Sequence, residues 1–363
     1  MMDRQRNLGF NERLYQEASQ YEGLVLGRVV AQHRDQYSVA MESSEIMAEI
    51  SGKMRYQAQS MLDYPVVGDF VMLDRDQNRT GKAQIQHLLS RKTVFLRKAA
   101  GTGQQMQVVA ANIDTVFICM AMDGDFNLRR LERYLAIAWD SGAVPVVVLT
   151  KSDLCADQKN RIAAAEAVAP GVDILTTSSI AENGVEVIKP YVIPGNTVVF
   201  VGSSGVGKST LLNRLLGEEQ IATREVRKDG KGRHTTTHRE LKILPAGGAV
   251  IDTPGMRELG LETADLSRAF QDIEALAASC RFHDCTHQHE PGCALRQAVN
   301  QGMLEEKRLA SFLKLRQEVR YEGMDARQIE KVKIKKMFSG FGGAKNARNY
   351  IKGKTGVKNE FIP

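Results

Sequence analysis

The sequence predicts a protein of three parts: an N-terminal OB-type β-barrel, an α/β domain built on a parallel sheet, and a small C-terminal helical domain. Three observations lead to this fold class. Short β-prone runs fill 24–89, a strand–glycine loop–helix unit occupies 198–216, and three cysteines crowd into 280–293. At 363 residues the chain is long enough for two or three domains with their own cores. The predicted boundaries are an extension at 1–22, the barrel at 23–105, the α/β domain at 106–262, the helical domain at 263–330 and a basic tail at 331–363.

The N-terminal part is predicted to be a helical, mobile segment at 1–20 followed by a small barrel. Its β-prone runs are separated by turn residues, and they lie at 24–30, 36–41, 66–73 and 84–89. Short strands at this spacing are typical of a small barrel or sandwich, and a five-stranded OB-type barrel fits. OB barrels bind nucleic acid on one face, whereas an SH3-like barrel used only for packing fits the same pattern. The cations that could line a binding face are Arg28, Arg34, Lys53 and Arg55.

The α/β domain is predicted to begin near residue 106, within a basic, glycine-containing connector at 91–112. An apolar strand at 113–120, a helix at 127–139 with leucines at helical spacing, and a second apolar strand at 144–149 follow in order. A strand–helix–strand unit of this length indicates a parallel sheet.

The positive charge of the chain is concentrated at its C-terminus. The formal net charge is +6, and residues 331–363 contain nine Lys or Arg against one acid, which gives +8 for the tail. Basic arms often contact polyanions, usually nucleic acid, although a solvated tail that aids solubility fits as well. No apolar signal region and no 18-residue apolar run occur, so we expect a soluble cytoplasmic protein. The tail cations are Lys331, Lys333, Lys335, Lys336, Lys345, Arg348, Lys352, Lys354 and Lys358.

The stretch Val198–Leu216 has the most specific motif. A buried β run precedes a loop that fits G-x-x-x-x-G-K-[ST], and a leucine-rich helix follows. The glycines let backbone N–H groups turn towards phosphate oxygens, and the helix N-terminus adds its dipole. Lys208 adds a charge for the β- and γ-phosphates, and Ser209 offers a hydroxyl to Mg²⁺. The predicted phosphate-binding residues are Gly202, Ser203, Ser204, Gly205, Val206, Gly207, Lys208, Ser209 and Thr210.

A second candidate site follows the strand at 144–149. Its carboxylate, Asp153, is placed to accept from two guanine edge N–H groups while Lys151 packs along the base. Such a site rejects adenine because the wrong base leaves the carboxylate unpaired, although the same residues alone fit a helix-capping turn. Small hydroxyl residues after the next strand, 173–176, allow close backbone approach to a base. The residues predicted here are Thr150, Lys151, Ser152, Asp153, Ser178 and Ser179.

Two loops after the phosphate-binding helix are predicted to respond to the γ-phosphate. The polar stretch 217–240 contains His234-Thr235-Thr236-Thr237, and a mobile loop of this kind can close a threonine hydroxyl onto Mg²⁺. The run Asp252-Thr253-Pro254-Gly255 ends a strand; its carboxylate would hold Mg²⁺ and its Gly255 N–H would sense the γ-phosphate. The predicted Mg²⁺ ligands are Ser209, Thr236 and Asp252.

The cysteine cluster has the spacing Cys280-x₄-Cys285-x-His287-x₅-Cys293. Three thiolates and one imidazole are the preferred set for a closed, four-coordinate structural Zn²⁺ site. The neighbouring His283 and His289 compete as the imidazole, so spacing leaves the fourth ligand open. Helical segments at 265–279 and 303–321 would complete a zinc-binding helical domain.

The order of these motifs is that of a circular permutation. The guanine-reading turn at 150 comes before the glycine loop at 202, and D-T-P-G comes last. With T-K-S-D, G-S-S-G-V-G-K-S-T, H-T-T-T and the cysteine cluster, the chain resembles the circularly permuted ribosome-biogenesis GTPases of the RsgA (YjeQ) family over nearly its whole length. The stretch at 107–114 also looks like that family's entry to the GTPase domain.

The resemblance implies a GTPase that binds the small (30S) ribosomal subunit and its rRNA late in maturation, with ribosome-stimulated turnover. It implies one structural Zn²⁺, with His287 as the fourth ligand, Mg²⁺ bound with GTP, and a monomer with no membrane partner. Met256 stands where many GTPases place a water-orienting glutamine, so the family's H-T-T-T histidine, His234, is the candidate for that role. The implied catalytic set is His234, Lys208 and Thr236.

Two other functions stay open at this stage. The first is a nucleotide-gated RNA-binding module with little intrinsic turnover, which the missing glutamine favours. Four intact motif residues argue against a degenerate GTPase: Lys208, Ser209, Thr236 and Asp252. The second is an ATP-dependent enzyme on the same scaffold, which Asp153 argues against.

Overall fold

The computed structural model describes residues 2–33, 35–77, 81–98, 106–178, 181, 184–217, 239–252, 266–320 and 328. Across these residues, one sheet of 11 strands and a separate hairpin form the β-structure. No helix in the described part of the chain has both the length and the apolar character needed to cross a bilayer.

The N-terminal strands form a closed barrel. They are β1 (Val25–His33), β2 (Gln36–Ala40), β3 (Glu45–Ile50), β4 (Phe70–Leu73) and β5 (Ala83–Leu88). Neighbours run β1-β2-β3-β5-β4, and β4 pairs back onto β1 to close the ring. Strands β3 and β5 are parallel while the other pairs are antiparallel. This is the OB-type barrel that the spacing predicts, although the β-prone runs of the sequence did not include β3.

Arg28 lies inside the molecule and not on a nucleic-acid-binding face, so that prediction is wrong. The residue is 1% exposed and donates to the carbonyl oxygens of Leu8, Gly68 and Asn112 at 2.7, 3.1 and 3.1 Å. Because a buried guanidinium needs its donors satisfied, these carbonyls determine where Arg28 lies. Arg28 therefore links the N-terminal segment, the barrel and the start of the α/β region.

The other predicted cations of the barrel have different locations. The helix Gly52–Gln57 follows β3, and it contains Lys53 and Arg55, both exposed to solvent. Arg34 lies outside the described residues. Two of the four predicted cations therefore remain available for a surface contact.

The N-terminal segment is helical, as predicted, but it is packed against the barrel. It forms α1 (Met2–Asn7) and α2 (Glu12–Ala18), and the next helix in the chain is α3 (Gly52–Gln57). Leu8 and Leu14 are 1% and 0% exposed. Burying a leucine contributes about 1.5–3 kcal/mol, so this segment is anchored and not free.

The predicted connector at 91–112 contains regular structure. Strands β6 (Val94–Lys98) and β7 (Met106–Ala111) pair as an antiparallel hairpin. The glycines that suggested a connector, Gly101 and Gly103, lie between the two strands in sequence. The prediction of a connector is wrong for 94–98 and 106–111, because pairing between these two stretches makes them strands.

The second half of the large sheet forms the α/β region. Its strands are β8 (Thr115–Ala121), β9 (Val144–Thr150), β10 (Asp173–Thr176), β11 (Thr197–Val201), β12 (Arg239–Ile243) and β13 (Ala249–Asp252). They lie in the order β10-β9-β8-β11-β13-β12, and only β12 runs antiparallel to its neighbour β13. The helices are α4 (Leu128–Asp140), α5 (Gln158–Val168) and α6 (Lys208–Leu216). The glycine-loop strand β11 is central in space although β8–β10 precede it in the chain.

The barrel and the α/β sheet are continuous through one strand pair. Strand β1 pairs with β12 at Ala31↔Glu240 and Gln32↔Arg239. The two regions also touch at Gly68, where an added Cβ would lie 2.1 Å from the carbonyl oxygen of Ala111. Only glycine permits this approach, so the close packing of the barrel against the end of β7 depends on that residue.

The C-terminal described region is helical. It contains α7 (Gln271–Ala277), α8 (Ala294–Asn300) and α9 (Glu306–Arg320). Helices α7 and α9 agree with the predicted segments, whereas α8 was not predicted. The rings of Phe270 and Phe312 are both buried, with centroids 5.3 Å apart. The basic tail at 331–363 lies outside the described residues.

Candidate functional site

The glycine loop joins β11 to α6 with a backbone that needs its glycines. Gly202, Gly205 and Gly207 have φ values of 142°, 75° and 95°. A Cβ on Gly202 would lie 2.3 Å from the carbonyl oxygen of Cys119 on the neighbouring strand. The loop therefore leads into the N-terminus of α6 in a shape that ordinary side chains do not allow. Backbone N–H groups at such a helix start attract anions such as phosphate.

Two hydrogen-bonding side chains fix this loop. Lys208 donates from Nζ to the carbonyl oxygens of Gly202 and Ser203 at 2.8 and 2.6 Å, which places the ammonium across the loop. Thr150, the last residue of β9, donates from Oγ1 to the carbonyl oxygen of Val206 at 2.6 Å. The predicted guanine-reading turn therefore begins in contact with the predicted phosphate loop.

The turn after β9 is held from two sides. Lys151 has a left-handed backbone with φ 55°, and its Nζ lies 2.8 Å from an Asp123 carboxylate oxygen. Asp153 lies in a 3₁₀ turn and accepts a hydrogen bond from the Ser178 hydroxyl, which follows β10. The structure thus brings the predicted residues after β9 and β10 together. Ser179 lies outside the described residues.

These groups all lie at one edge of the sheet. Because β8, β9, β10, β11 and β13 are parallel, their carboxyl ends meet there, which is where ligands bind in open α/β sheets. Asp252 ends β13 at this edge, and burial raises its pKa above the ordinary carboxyl value. A nearby divalent cation would favour the charged carboxylate, so the position fits a Mg²⁺ ligand. His234, Thr236 and Gly255 lie outside the described residues.

Sequence reasoning missed three residues of this site. Asp123, Asp125 and Arg130 lie in the β8–α4 connection and the first turn of α4. Asp125 accepts from Arg130 at 2.7 and 3.0 Å and from the Ser203 hydroxyl at 2.5 Å. Their sequence, D-G-D followed by a helix, looks like an ordinary turn, and only the fold places it against the glycine loop.

The cysteine cluster comes together as the spacing predicts. The ligand atoms of Cys280, Cys285, His287 and Cys293 all lie within 4.8 Å of one another. His287 Nδ1 lies 3.6 Å from the sulfur atoms of Cys280 and Cys293. Three sulfurs and one imidazole in this arrangement fit a structural Zn²⁺ site.

The surroundings distinguish His287 from its two neighbours. His287 is buried, whereas His283 and His289 are exposed. The Glu290 carboxylate accepts from the backbone N–H groups of Thr286, Gln288 and His289, which tightens the turn around His287. Hydrogen bonds lower the pKa of Glu290 to about 2, and the bond from the Thr286 side chain has the largest effect. The geometry favours His287 as the imidazole of the cluster.

Relatives of this chain cover almost all of it. The family model described as RsgA GTPase matches residues 88–262. A protein of Lactiplantibacillus plantarum, named small ribosomal subunit biogenesis GTPase RsgA 2, is 50% identical over 319 residues, 88% of this chain and 90% of that protein. The protein of Methanosarcina acetivorans named small ribosomal subunit biogenesis GTPase RsgA is 43% identical over 337 residues, 91% of this chain and 90% of its own length.

Solved structures agree on the fold. YjeQ from Thermotoga maritima superposes with a TM-score of 0.62 at 28% identity, over 82% of this chain and 98% of that one. YloQ, described as a circularly permuted GTPase, gives a TM-score of 0.60 at 25% identity, over 83% and 96% of the two chains. An ABC transporter model also matches residues 185–340, a range that includes the glycine loop. Because its relatives match along nearly the whole chain, this chain belongs to the RsgA family of circularly permuted GTPases.

Proposed function

We propose that this chain is a cytoplasmic GTPase that binds the small (30S) ribosomal subunit, assists its late maturation and hydrolyses GTP to GDP and phosphate. The observation that supports this most is the contact between the guanine-reading turn and the glycine loop, through Thr150 and Val206. The names of the relatives supply the subunit as the partner. We propose that the protein acts as a monomer.

The proposed chemistry is attack of water on the γ-phosphate. Lys208 and the backbone N–H groups of the glycine loop would stabilise the charge that spreads over the phosphoryl oxygens. Ser209, Thr236 and Asp252 would hold Mg²⁺, which neutralises negative charge on the β- and γ-phosphates when it is bound. His234 would orient the water or accept its proton, because Met256 has no group that can do so.

The cysteine cluster is proposed to hold one structural Zn²⁺. Its four ligands would come from Cys280, Cys285, His287 and Cys293, which leaves no open coordination position for a substrate. The role of this metal would be to stabilise the helical region. The barrel and the basic tail would contribute contacts to rRNA.

GTP hydrolysis measured with and without small subunits tests the function. We expect slow turnover by the protein alone and faster turnover with subunits, with GTP strongly preferred to ATP. In the same assay, His234→Ala is expected to lower stimulated turnover by roughly 10²- to 10⁴-fold, the usual contribution of a general acid or base.

Three results would count against parts of this proposal. Equal turnover with and without subunits would remove the ribosomal role. Subunit binding that depends on GTP but proceeds without turnover would favour the RNA-binding module. Unchanged basal and stimulated rates in His234→Ala would end its assignment.

One surface of the barrel is suited to an RNA contact. Helix α3 has no buried residue, and it exposes Lys53, Arg55 and Tyr56. Tyr56 is 92% exposed, more than any other large apolar or aromatic side chain of the described residues. Cations that pair with phosphates beside an aromatic ring that stacks on a base are typical of contacts to single-stranded RNA.

Substitutions on α3 are expected to weaken subunit binding without changing basal hydrolysis. Tyr56→Ala should lower affinity for small subunits by about 5- to 150-fold, because stacking on one base contributes about 1–3 kcal/mol. Lys53→Ala with Arg55→Ala should reduce the slope of log affinity against log salt by about 1.4–1.8. Co-sedimentation across a salt series measures both, and Lys159→Ala, an exposed cation of α5, is the matched control. Wild-type affinity in the α3 variants would remove this contact.

A further inference from the structure

One connection in the fold touches both halves of the nucleotide site. Residues 122–127 join β8 to α4. Asp123 in this connection contacts Lys151, 28 positions away, on the guanine-reading side. Asp125 contacts Ser203, 78 positions away, on the phosphate side. The two halves are far apart in the permuted chain, so this short loop is a direct bridge between them.

On the guanine side, Asp123 organises the turn after β9. One carboxylate oxygen lies 2.8 Å from Lys151 Nζ, and the other accepts from the backbone N–H of Asp125 at 2.8 Å. The backbone carbonyl of Asp123 accepts from Arg161 of α5 at 2.6 Å. Lys151 has a left-handed backbone, which a non-glycine residue adopts only when its surroundings hold it there. The Asp123 contact is such a restraint, and Asp153 is two residues further on.

On the phosphate side, three groups form a closed set. Arg130 donates to both oxygens of Asp125, at 2.7 and 3.0 Å, and to the Ser203 hydroxyl at 2.6 Å. The Ser203 hydroxyl in turn donates to Asp125 at 2.5 Å. The hydrogen bond from the Arg130 guanidinium is the largest of the causes that hold the pKa of Asp125 below its usual range, so the carboxylate is charged at neutral pH. Asn127 caps the helix that positions Arg130, accepting from its backbone N–H at 3.1 Å.

We propose that the loop of Asp123 and Asp125 positions both halves of the GTP site. Asp123 orients Lys151 and the turn that contains Asp153, and so supports selection of guanine. Asp125, with Arg130, holds Ser203 and thereby aims the backbone N–H groups of the glycine loop at the phosphates. This inference rests on the proposed GTPase function. Both aspartates act through other residues, so they are positioning residues and not catalytic ones.

The two roles predict different losses of affinity. Phosphate binding is common to GDP and ADP, so Asp125→Asn should lower the affinity for both nucleotides by a similar factor, about tenfold. The ratio of their dissociation constants should stay unchanged. Guanine reading is specific to GDP, so Asp123→Asn should lower the affinity for GDP by about tenfold and the affinity for ADP much less. The ratio of ADP to GDP dissociation constants should therefore fall only in Asp123→Asn.

Competition against a fluorescent GDP analogue, with the full chain, measures these constants. Glu166→Gln, an exposed carboxylate of α5, is the matched control and should bind both nucleotides like the wild type. If Asp123→Asn lowered the affinities for GDP and ADP equally, its role in guanine selection would be overturned. A changed ratio in Asp125→Asn would overturn its phosphate-side role.

A second variant covers the case in which Asp125→Asn fails to fold. Ser203→Ala removes only the hydroxyl that Asp125 and Arg130 contact, and it should reproduce the loss for both nucleotides. Where Asp125→Asn does fold, adding it to Ser203→Ala should lower nucleotide affinity little further; a full additional tenfold loss would contradict action through Ser203. If the wild type does not prefer GDP to ADP, the proposed function fails. If it does and both aspartate variants bind like the wild type, this inference alone fails.

Discussion

Arg308→Ala is expected to lower the free energy of unfolding by about 3–5 kcal/mol, because it removes one partner of a buried ion pair. The side chains of Arg308 and Glu132 are 6% and 0% exposed, and Arg308 Nη1 lies 2.8 Å from Glu132 Oε1. Arg308 also donates to both carboxylate oxygens of Asp272, at 3.0 and 2.8 Å. Its loss would leave the Glu132 charge buried with less compensation.

The stabilising contacts that Arg308→Ala would remove lie where the helical region meets helix α4 of the α/β region. Glu132 lies on α4 and Arg308 on α9, and Glu132 Oε2 has no hydrogen-bond partner among the described residues. Arg129 contacts Glu132 and also Glu305, so the interface depends on few charges. Urea unfolding followed by circular dichroism, with hydrogen exchange at 266–320, would measure the loss.

Two comparisons separate this effect from ordinary surface substitution. Lys314→Ala changes an exposed cation on the same helix and should shift stability by less than about 0.5 kcal/mol. Glu132→Leu combined with Arg308→Leu removes both charges and should recover most of the stability, because apolar packing can replace a buried pair. Unfolding of Arg308→Ala at the wild-type urea concentration would contradict the prediction.

The part of the site that could be predicted consists of residues next to one another in sequence. The geometry of the glycine loop at 202–207 can be predicted from its sequence, because its glycines occur at positions with positive φ. The cysteine cluster spans 14 consecutive positions, from Cys280 to Cys293, and comes together locally. The strands β8, β9 and β11 are buried on both faces and therefore have continuous apolar sequences. Their positions can be predicted from these sequences without knowing which strands pair with them.

The part that could not be predicted depends on distant partners. Arg28 looks like a surface cation until the carbonyl oxygens of Leu8, Gly68 and Asn112 surround it. Strand β3 mixes two isoleucines with Met and with Glu and Ala, which are depleted in strands, and pairing with β2 and β5 gives it its conformation. The Asp123–Lys151 contact likewise exists only once β8 and β9 are neighbours.

Removal of the proposed zinc is expected to unfold the helical region at 266–320 while GDP binding is retained. Structural Zn²⁺ sites contribute about 10–16 kcal/mol of apparent binding free energy, far more than the helices of this small region can replace. The ligand atoms of the three cysteines and His287 lie within 4.8 Å of one another, and bonds to the ion would hold them together. Without the ion these bonds would be lost. Loss of hydrogen-exchange protection in α7 and α8 after chelation would be the direct readout.

The three histidines of this region provide a matched test of the site itself. His287→Ala should lower bound zinc well below one equivalent and reduce protection of α7 and α8, because it removes the buried imidazole that lies 3.6 Å from two sulfurs. His283→Ala and His289→Ala change exposed imidazoles and should keep one equivalent. Metal analysis of the purified variants decides between them. Full zinc content in His287→Ala, or its loss in His289→Ala, would move the fourth ligand to another residue and refute the assignment.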